Sequence, residues 1–198
     1  MGRTYGDIPF ERYADDIVCH FSKMREANSM KQIIRDRFQE VGLAINEQKT
    51  TVVYIDTFER WNVKTYFTFL GYDFKVRTLK NFKGELYRKC MPGASKEAMR
   101  RITRTVKSWR IHRSTAESVE QLAKRYNPIL RGWIEYYGKF WYRNFSYHIW
   151  RVFQSRLIKW MKAKHRLSTR KAEHRLALLR RENLHLFVHW YLLRASNV

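Results

Sequence analysis

Two adjacent carboxylates, Asp15 and Asp16, interrupt an otherwise strand-like run from Phe10 to His20. Tyr13, Ile17 and Val18 favour extended backbone, and an Asp-Asp pair suits the two central positions of a tight hairpin turn. The run therefore predicts a β-hairpin with both acids at its tip. Carboxylates held that close repel one another unless a cation lies between them. Hard divalent ions such as magnesium are bound through one or two carboxylates together with substrate phosphates. For an isolated Asp-Asp pair the plain alternative is a solvated turn, so the rest of the chain decides its meaning.

Charge divides the chain in two. Lys and Arg number 40 against 18 Asp and Glu, a formal net charge of +22 that points to a polyanionic partner. Residues 1–90 hold 16 basic and 12 acidic side chains, whereas residues 91–198 hold 24 and 6. The acid pair and the main electrostatic footprint thus belong to different stretches. A hydrophobic content of 44% predicts a packed core and excludes a disordered tail. Cys19 and Cys90 supply neither a disulfide framework nor a zinc framework, so a reduced, cytoplasmic compartment is the default. No apolar stretch approaches the roughly 18 residues of a membrane span, and the N-terminus has no signal-like apolar segment.

Taken in order, Ser22 to Val41 has the three- and four-residue apolar spacing of a helix, with Gly42 as its stop. A strand over Thr51–Ile55 follows. Phe67 to Arg77 alternates, with Leu70, Tyr72, Phe74 and Val76 on one face and Gly71, Asp73, Lys75 and Arg77 on the other, which predicts one half-buried strand. Lys80 to Met91 predicts a hairpin turning near Lys83-Gly84, and Pro92-Gly93 the end of the sheet. Ser95 caps a helix reaching about His112, in which Ile102, Val106 and Trp109 oppose Arg100, Arg104 and Lys107, with Arg110 following. Ser114 to Glu117 reads as a capping box for a second helix ending near Tyr126. Asn127-Pro128 opens a third, on which Trp133, Tyr137 and Trp141 form a core stripe. Ile149, Phe153, Leu157 and Trp160 outline a fourth, followed by a basic run from Lys159 to Lys171. Leu184 to Trp190 is a strand or a docking element. His185 and His189 lack a third partner for zinc.

Four ordered blocks carry a family resemblance: Tyr-Ala-Asp-Asp at 13–16, Gly-Leu-x-x-Asn-x-x-Lys-Thr at 42–50, Phe-Leu-Gly-Tyr at 69–72 and Asn-Pro-Ile-Leu-Arg-Gly-Trp at 127–133. Together they resemble the bacterial group II intron reverse transcriptases, the intron-encoded maturases. The resemblance implies an α+β chain: a partial polymerase palm of antiparallel strands and a helix over residues 1–92, the maturase-specific thumb or X bundle over 93–145, and a basic helical extension over 146–198. It further implies RNA-directed DNA synthesis and help in intron RNA folding and splicing, with Asp15 and Asp16 as catalytic ligands of magnesium. Tyr13, Ala14, Asn46, Lys49 and Gly71 are then expected at the nucleotide and primer. For Gly71 the plain reading is a core strand with a bulge glycine, and both can hold together.

Mixed Arg, Trp, Tyr and Gly suits folded RNA, whose unpaired bases stack on aromatic rings while guanidinium groups take phosphates. Arg100, Arg104, Lys107, Arg110, Arg131, Tyr136 and Lys139 are the expected RNA contacts, since they lie off the core stripes. A palm of this type needs a third carboxylate from an earlier strand. Only Asp7 and Glu11 precede the pair, and along one strand Asp7 lies about 26 Å from Asp15 at roughly 3.3 Å per residue. By comparison with the family, the fingers and first half of the palm are missing. Two readings result: a polymerase acting on an RNA/DNA template-primer, or a non-catalytic RNA-binding maturase remnant. The missing half supplied in trans, or a dimer, would cover the unpaired sheet edge.

Overall fold

The computed structural model describes residues 8–58 and 64–192. Helices and small antiparallel sheets make it an α+β chain, with strands concentrated early and helices late. It divides into two compact units: residues 1–69 with 75–90, and residues 70–74 with 91–198.

In the first unit, β1 (Phe10–Tyr13) and β2 (Asp16–Cys19) pair antiparallel with Phe10 opposite Cys19 and Tyr13 opposite Asp16. Helix α1 (Met24–Glu40) follows, close to its expected span. Its end is a Schellman motif. Gly42 takes φ +72°, its N–H donates to the Gln39 carbonyl (3.0 Å), and that of Leu43 donates to Phe38 (2.8 Å). The expected strand at Thr51–Ile55 does not form. Its β-branched residues have the propensity, but among the described residues only one ladder-like bond is made, from Tyr54 N–H to the Lys64 carbonyl at 3.1 Å.

The second sheet has the order β3-β4-β5 (Tyr66–Phe69, Tyr72–Lys80 and Leu86–Ala94). The single strand expected over Phe67–Arg77 is two strands joined by a two-residue turn. Leu70 (φ +51°) and Gly71 (φ +77°) supply the two left-handed residues that such a tight hairpin requires. The face assignment also fails: Asp73 and Arg77 are buried and Leu70 is exposed. Alternation could not survive a reversal of the chain. Beyond Lys80 the expected hairpin is present, with the side chain of Asn81 accepting from Glu85 N–H (2.9 Å). β5 continues through Pro92-Gly93 to Ala94 instead of stopping there, which proline permits because β5 is an edge strand with a side that needs no donor.

The second unit is built on helices. The Ser95 hydroxyl accepts from Ala98 N–H (3.0 Å) and caps α2 (Lys96–Ser108), a contact worth about 1 kcal/mol. Ala98, Ile102 and Val106 are buried as expected. The helix stops four residues earlier than expected, because Arg110 turns left-handed (φ +49°) into a 3-10 turn at Ile111–Arg113.

The capping box lies four residues beyond the predicted one. Ser118 and Gln121 cap each other's ends of the first turn of α3 (Val119–Tyr137). Two expected helices are therefore one, and Pro128 lies inside it. Leu122, Tyr126, Leu130 and Tyr137 form one buried stripe across the proline, so packing overrides a local break that costs about 3 kcal/mol. Asn127 is not a cap; its side chain donates to the Leu186 carbonyl (2.8 Å) and accepts from Val188 N–H (3.1 Å).

Helix α4 (Tyr142–His165) is central, packing on α2, α3, the 3-10 turn, α5 (Thr169–Glu182) and α6 (Val188–Leu192). The expected stripe of Ile149, Phe153, Leu157 and Trp160 is fully buried. Trp141 is not on α3's stripe, since it precedes α4 as its N-cap. The segment Leu184–Trp190 is a docking element and not a strand: Phe187, Val188, His189 and Trp190 are buried at the start of α6. Among the described residues no helix is long and apolar enough to cross a membrane.

Candidate functional site

The first hairpin brings Tyr13, Ala14, Asp15 and Asp16 onto one exposed tip, shifted by one residue from the expected turn. Because Tyr13 pairs with Asp16, the central residues are Ala14 and Asp15, and Asp16 begins β2. Ala14 takes the left-handed conformation (φ +50°), and Arg12 Nε donates to its carbonyl at 3.1 Å. Register decides the outcome: four cross-strand pairs fix which residues are left to turn.

Both acids are exposed, and among the described residues neither makes an ion pair or side-chain hydrogen bond. Two unengaged carboxylates are the oxygen donors a hard cation takes. Among the described residues no three His, Cys, Asp or Glu side chains converge on a common point. The pair thus fits part of a magnesium site, and Asp7 lies outside the described residues.

Asn46 and Lys49 are brought together in a second group. The Asn46 side chain accepts from Lys49 N–H (3.1 Å), and its backbone carbonyl accepts from Lys49 (3.0 Å) and Thr50 (2.8 Å). Asn46 therefore shapes the turn that presents the exposed Lys49. Glu47 in the same turn is clasped to α1 by Lys31 Nζ (3.1 Å) and Arg35 Nε (2.8 Å). Those hydrogen bonds, from Lys31 first and Arg35 second, hold its carboxyl below the usual range. Sequence reasoning passed over Glu47; the available signal was an acid inside a basic block, facing a helix with Lys31 and Arg35 four residues apart.

Gly71 belongs to a third group. A Cβ there would lie 3.0 Å from the Tyr137 hydroxyl, so the close approach is by that side chain, and the left-handed φ demands glycine independently. The Gly71 carbonyl accepts from Ser95 N–H (2.9 Å). Tyr136 donates to the Leu70 carbonyl (2.8 Å), and the Tyr72 hydroxyl donates to the Tyr136 carbonyl. Tyr72 is ringed by Tyr136, Tyr137 and Phe140 with centroids 5.3–5.7 Å apart. Burial, with the neighbouring tyrosines, raises its phenol above the ordinary value. Tyr136 is thus tied at its hydroxyl while 47% of its surface stays exposed.

The cationic residues lie as the wheel of α2 predicts. Arg100, Arg104 and Lys107 are exposed opposite Ile102 and Val106. Arg104 has a loose ion pair with Glu97 at 3.7 Å, both largely in solvent. Arg110 is exposed beyond the helix end, and Arg131 and Lys139 are exposed on and after α3. Trp133 is half-buried, stacked parallel on Trp109 at 5.6 Å. In the basic run, Lys164 serves the fold, donating to the carbonyls of Thr115 (2.7 Å) and Glu117 (2.8 Å).

Two family models match this chain. Residues 2–74 match the model described as reverse transcriptase (RNA-dependent DNA polymerase), and residues 99–177 match the group II intron, maturase-specific domain. The chain belongs to the group II intron reverse transcriptase/maturase family. No curated protein and no solved structure matches it. Within this family assignment, the acid hairpin, the Lys49 turn and Gly71 fall in the reverse transcriptase match, while α2 from Met99 onward, α3 and α4 fall in the maturase-specific match.

Proposed function

We propose that the chain binds folded RNA of the group II intron class through the cationic faces of its helical unit. Asp15 and Asp16 are then two ligands of a nucleotidyl-transfer site that a further carboxylate must complete. The segregation of charge carries this reading: exposed, unengaged acids on one hairpin, and a helical unit in which exposed cations far outnumber exposed acids. Arg100, Arg104, Lys107, Arg110, Arg131 and Lys139 take phosphates, and the exposed part of Tyr136 meets a base. Residues 1–92 act as palm sequence, 93–145 as the maturase-specific bundle and 146–198 as its basic extension.

For nucleotide addition, Asp15 and Asp16 are the residues that would hold magnesium, whose chemistry is to neutralise phosphate charge and activate a hydroxyl. Tyr13 and Ala14 border the incoming nucleotide, Asn46 sets the turn, Lys49 meets phosphate, and Gly71 lies at the primer. Exposed Phe10, Tyr13, Ile17, Phe82 and Leu86 support a partner, either an upstream palm segment in trans or a second copy. The site of action is the cytoplasm.

Two measurements test this. Binding of a labelled group II intron RNA is expected to weaken steeply with salt and to be unchanged in Asp15→Ala. Magnesium-dependent template-primer extension is expected from the chain only with the upstream segment present, and to be lost in Asp15→Ala. RNA binding no tighter than that of a neutral protein would overturn the first claim. Extension that persists in Asp15→Ala would overturn the second.

A further inference from the structure

The 3-10 turn at Ile111–Arg113, the second half of α4 and the turn leading to α5 enclose an open cleft of about 480 Å³. Its lining includes His112, Arg156, Lys159, Lys162 and Arg166 and no carboxylate. Among the described residues, none of the five forms an ion pair. The Arg156 Nε–H is buried without an acceptor, leaving that guanidinium's charge uncompensated. Like charges gathered in a concavity raise the local potential and concentrate anions.

Arg166 adds an independent observation. It closes α4 in the left-handed conformation (φ +50°), a position where glycine is favoured and a side chain is disfavoured. An arginine kept there works against the helix end and for the cleft. Lys162 is different, because its Nζ donates to Thr169 Oγ1 (2.7 Å) and so helps the start of α5.

We infer that this cleft is a cradle for consecutive phosphates of an RNA backbone, with Arg156, Lys159 and Arg166 as its cations. It is a contact made by residues other than those of α2 and α3. The inference rests on the RNA-binding reading and adds a location to it. Guanidinium groups grip phosphate oxygens in pairs and Lys159 acts as a point charge, so the cradle reads backbone and not base sequence.

The test is fluorescence anisotropy with a labelled group II intron RNA, comparing the wild-type chain, Lys159→Gln/Arg166→Gly and a charge-matched control, Lys89→Gln/Arg181→Gln. Replacing Arg166 by glycine relieves the left-handed strain, so thermal unfolding is expected at or above the wild-type midpoint. Lost binding then cannot be lost folding. RNA affinity of the cleft variant is expected to fall on the order of tenfold at ~0.1 M salt, with the slope of log K against log salt shallower by about 1.4–1.8. The control is expected to stay within about twofold. Wild-type affinity and slope in the cleft variant would overturn the cradle while leaving RNA binding intact. Failure of the wild-type chain itself to bind RNA would overturn the parent reading. Inorganic phosphate that, at fixed ionic strength, binds the wild type and not the variant, with RNA affinity equal in both, would make the cleft a free-anion site and overturn the backbone assignment.

Discussion

The two units hold themselves together by different physics. In the helical unit, buried aromatic and aliphatic side chains from every helix meet around α4. In the first unit, Met30 is the only described apolar side chain that is buried, while Phe82 is 94% exposed and Phe58 70%. Its order comes from local devices: a Schellman end on α1, the Asn46 turn, the Glu47 clasp and tight hairpins. Burial resists unfolding far more than exposed hydrogen bonds and ion pairs do. The helical unit can thus stand on its own core, and the first unit asks for a partner.

The sharpest way to break this contrast is to delete the same side chain from each unit. Phe153 is fully buried and contacts the rings of Trp109, Tyr126, Phe187 and His189. Phe153→Ala is expected to cost about 3–5 kcal/mol. Phe82→Ala is expected to change stability by less than about 0.5 kcal/mol. Urea unfolding followed by helical circular dichroism measures both, and comparable losses would show that the first unit conceals a core of its own.

Acid probes the helical core by another route. His189 is fully buried, its Nε2 lies 3.0 Å from Gln154 Oε1, and Trp190 Nε1 donates to the same oxygen at 3.0 Å. Burial, with Arg180 nearby, pushes its pKa from 6.5 down to about 3. The unfolded chain therefore binds a proton that the folded chain refuses between those values. The stabilisation is whole above pH 6.5 and drains away as pH falls towards 3. From pH 6 to 5, before carboxylates titrate, unfolding free energy is expected to drop by roughly 1 kcal/mol more in the wild type than in His189→Gln. Equal slopes in the two proteins would refute the assignment.

The legibility of the chain follows the same division. Apolar spacing exposed the stripes of α2 and α4, because each packs one face on a core and period 3.6 survives in the residues, and it marked α1 although Met30 alone is buried there. The acid pair, Asn46, Lys49 and the Arg100 face were readable as motifs or faces. What failed was local punctuation under tertiary control. Pro128 looked like a start and lies mid-helix, and Ser114 looked like a cap four residues before the one in use. Leu70-Gly71 looked like strand because a non-glycine residue at φ +51° leaves no compositional mark. The cleft around Arg166 was invisible since His112 and Arg156 meet only when the 3-10 turn packs on α4.

Within the second unit, two glycines are expected to respond in opposite directions, each by about 1 kcal/mol. Gly71 needs its positive φ and has Tyr137 Oη 3.0 Å from where a Cβ would lie, so Gly71→Ala is expected to destabilise by about 1–2 kcal/mol. Gly132 lies in mid-α3 with open space around it. Gly132→Ala is expected to stabilise by about 0.5–1 kcal/mol. Opposite signs in denaturant midpoints are the outcome to look for. Should Gly132→Ala also weaken RNA binding, that glycine is kept for backbone approach to RNA.

The smallest effect tests the first unit alone. Glu47 joins the Lys49 turn to α1 through Lys31 and Arg35, with Glu47 exposed and the two cations half-buried. Solvent around Glu47 screens the clasp, so Glu47→Gln is expected to differ least from the wild type in stability at pH 7 among these variants. Its sign with pH is fixed by the lowered carboxyl. The clasp is complete above the ordinary value of 4.5 and disappears as pH falls through the folded value beneath it. Amide hydrogen exchange in α1 is therefore expected to be faster in Glu47→Gln than in the wild type at pH 7, and the gap to close in strong acid. A gap that persists there would mean that the turn is held by packing, and the first unit would no longer differ in kind from the second.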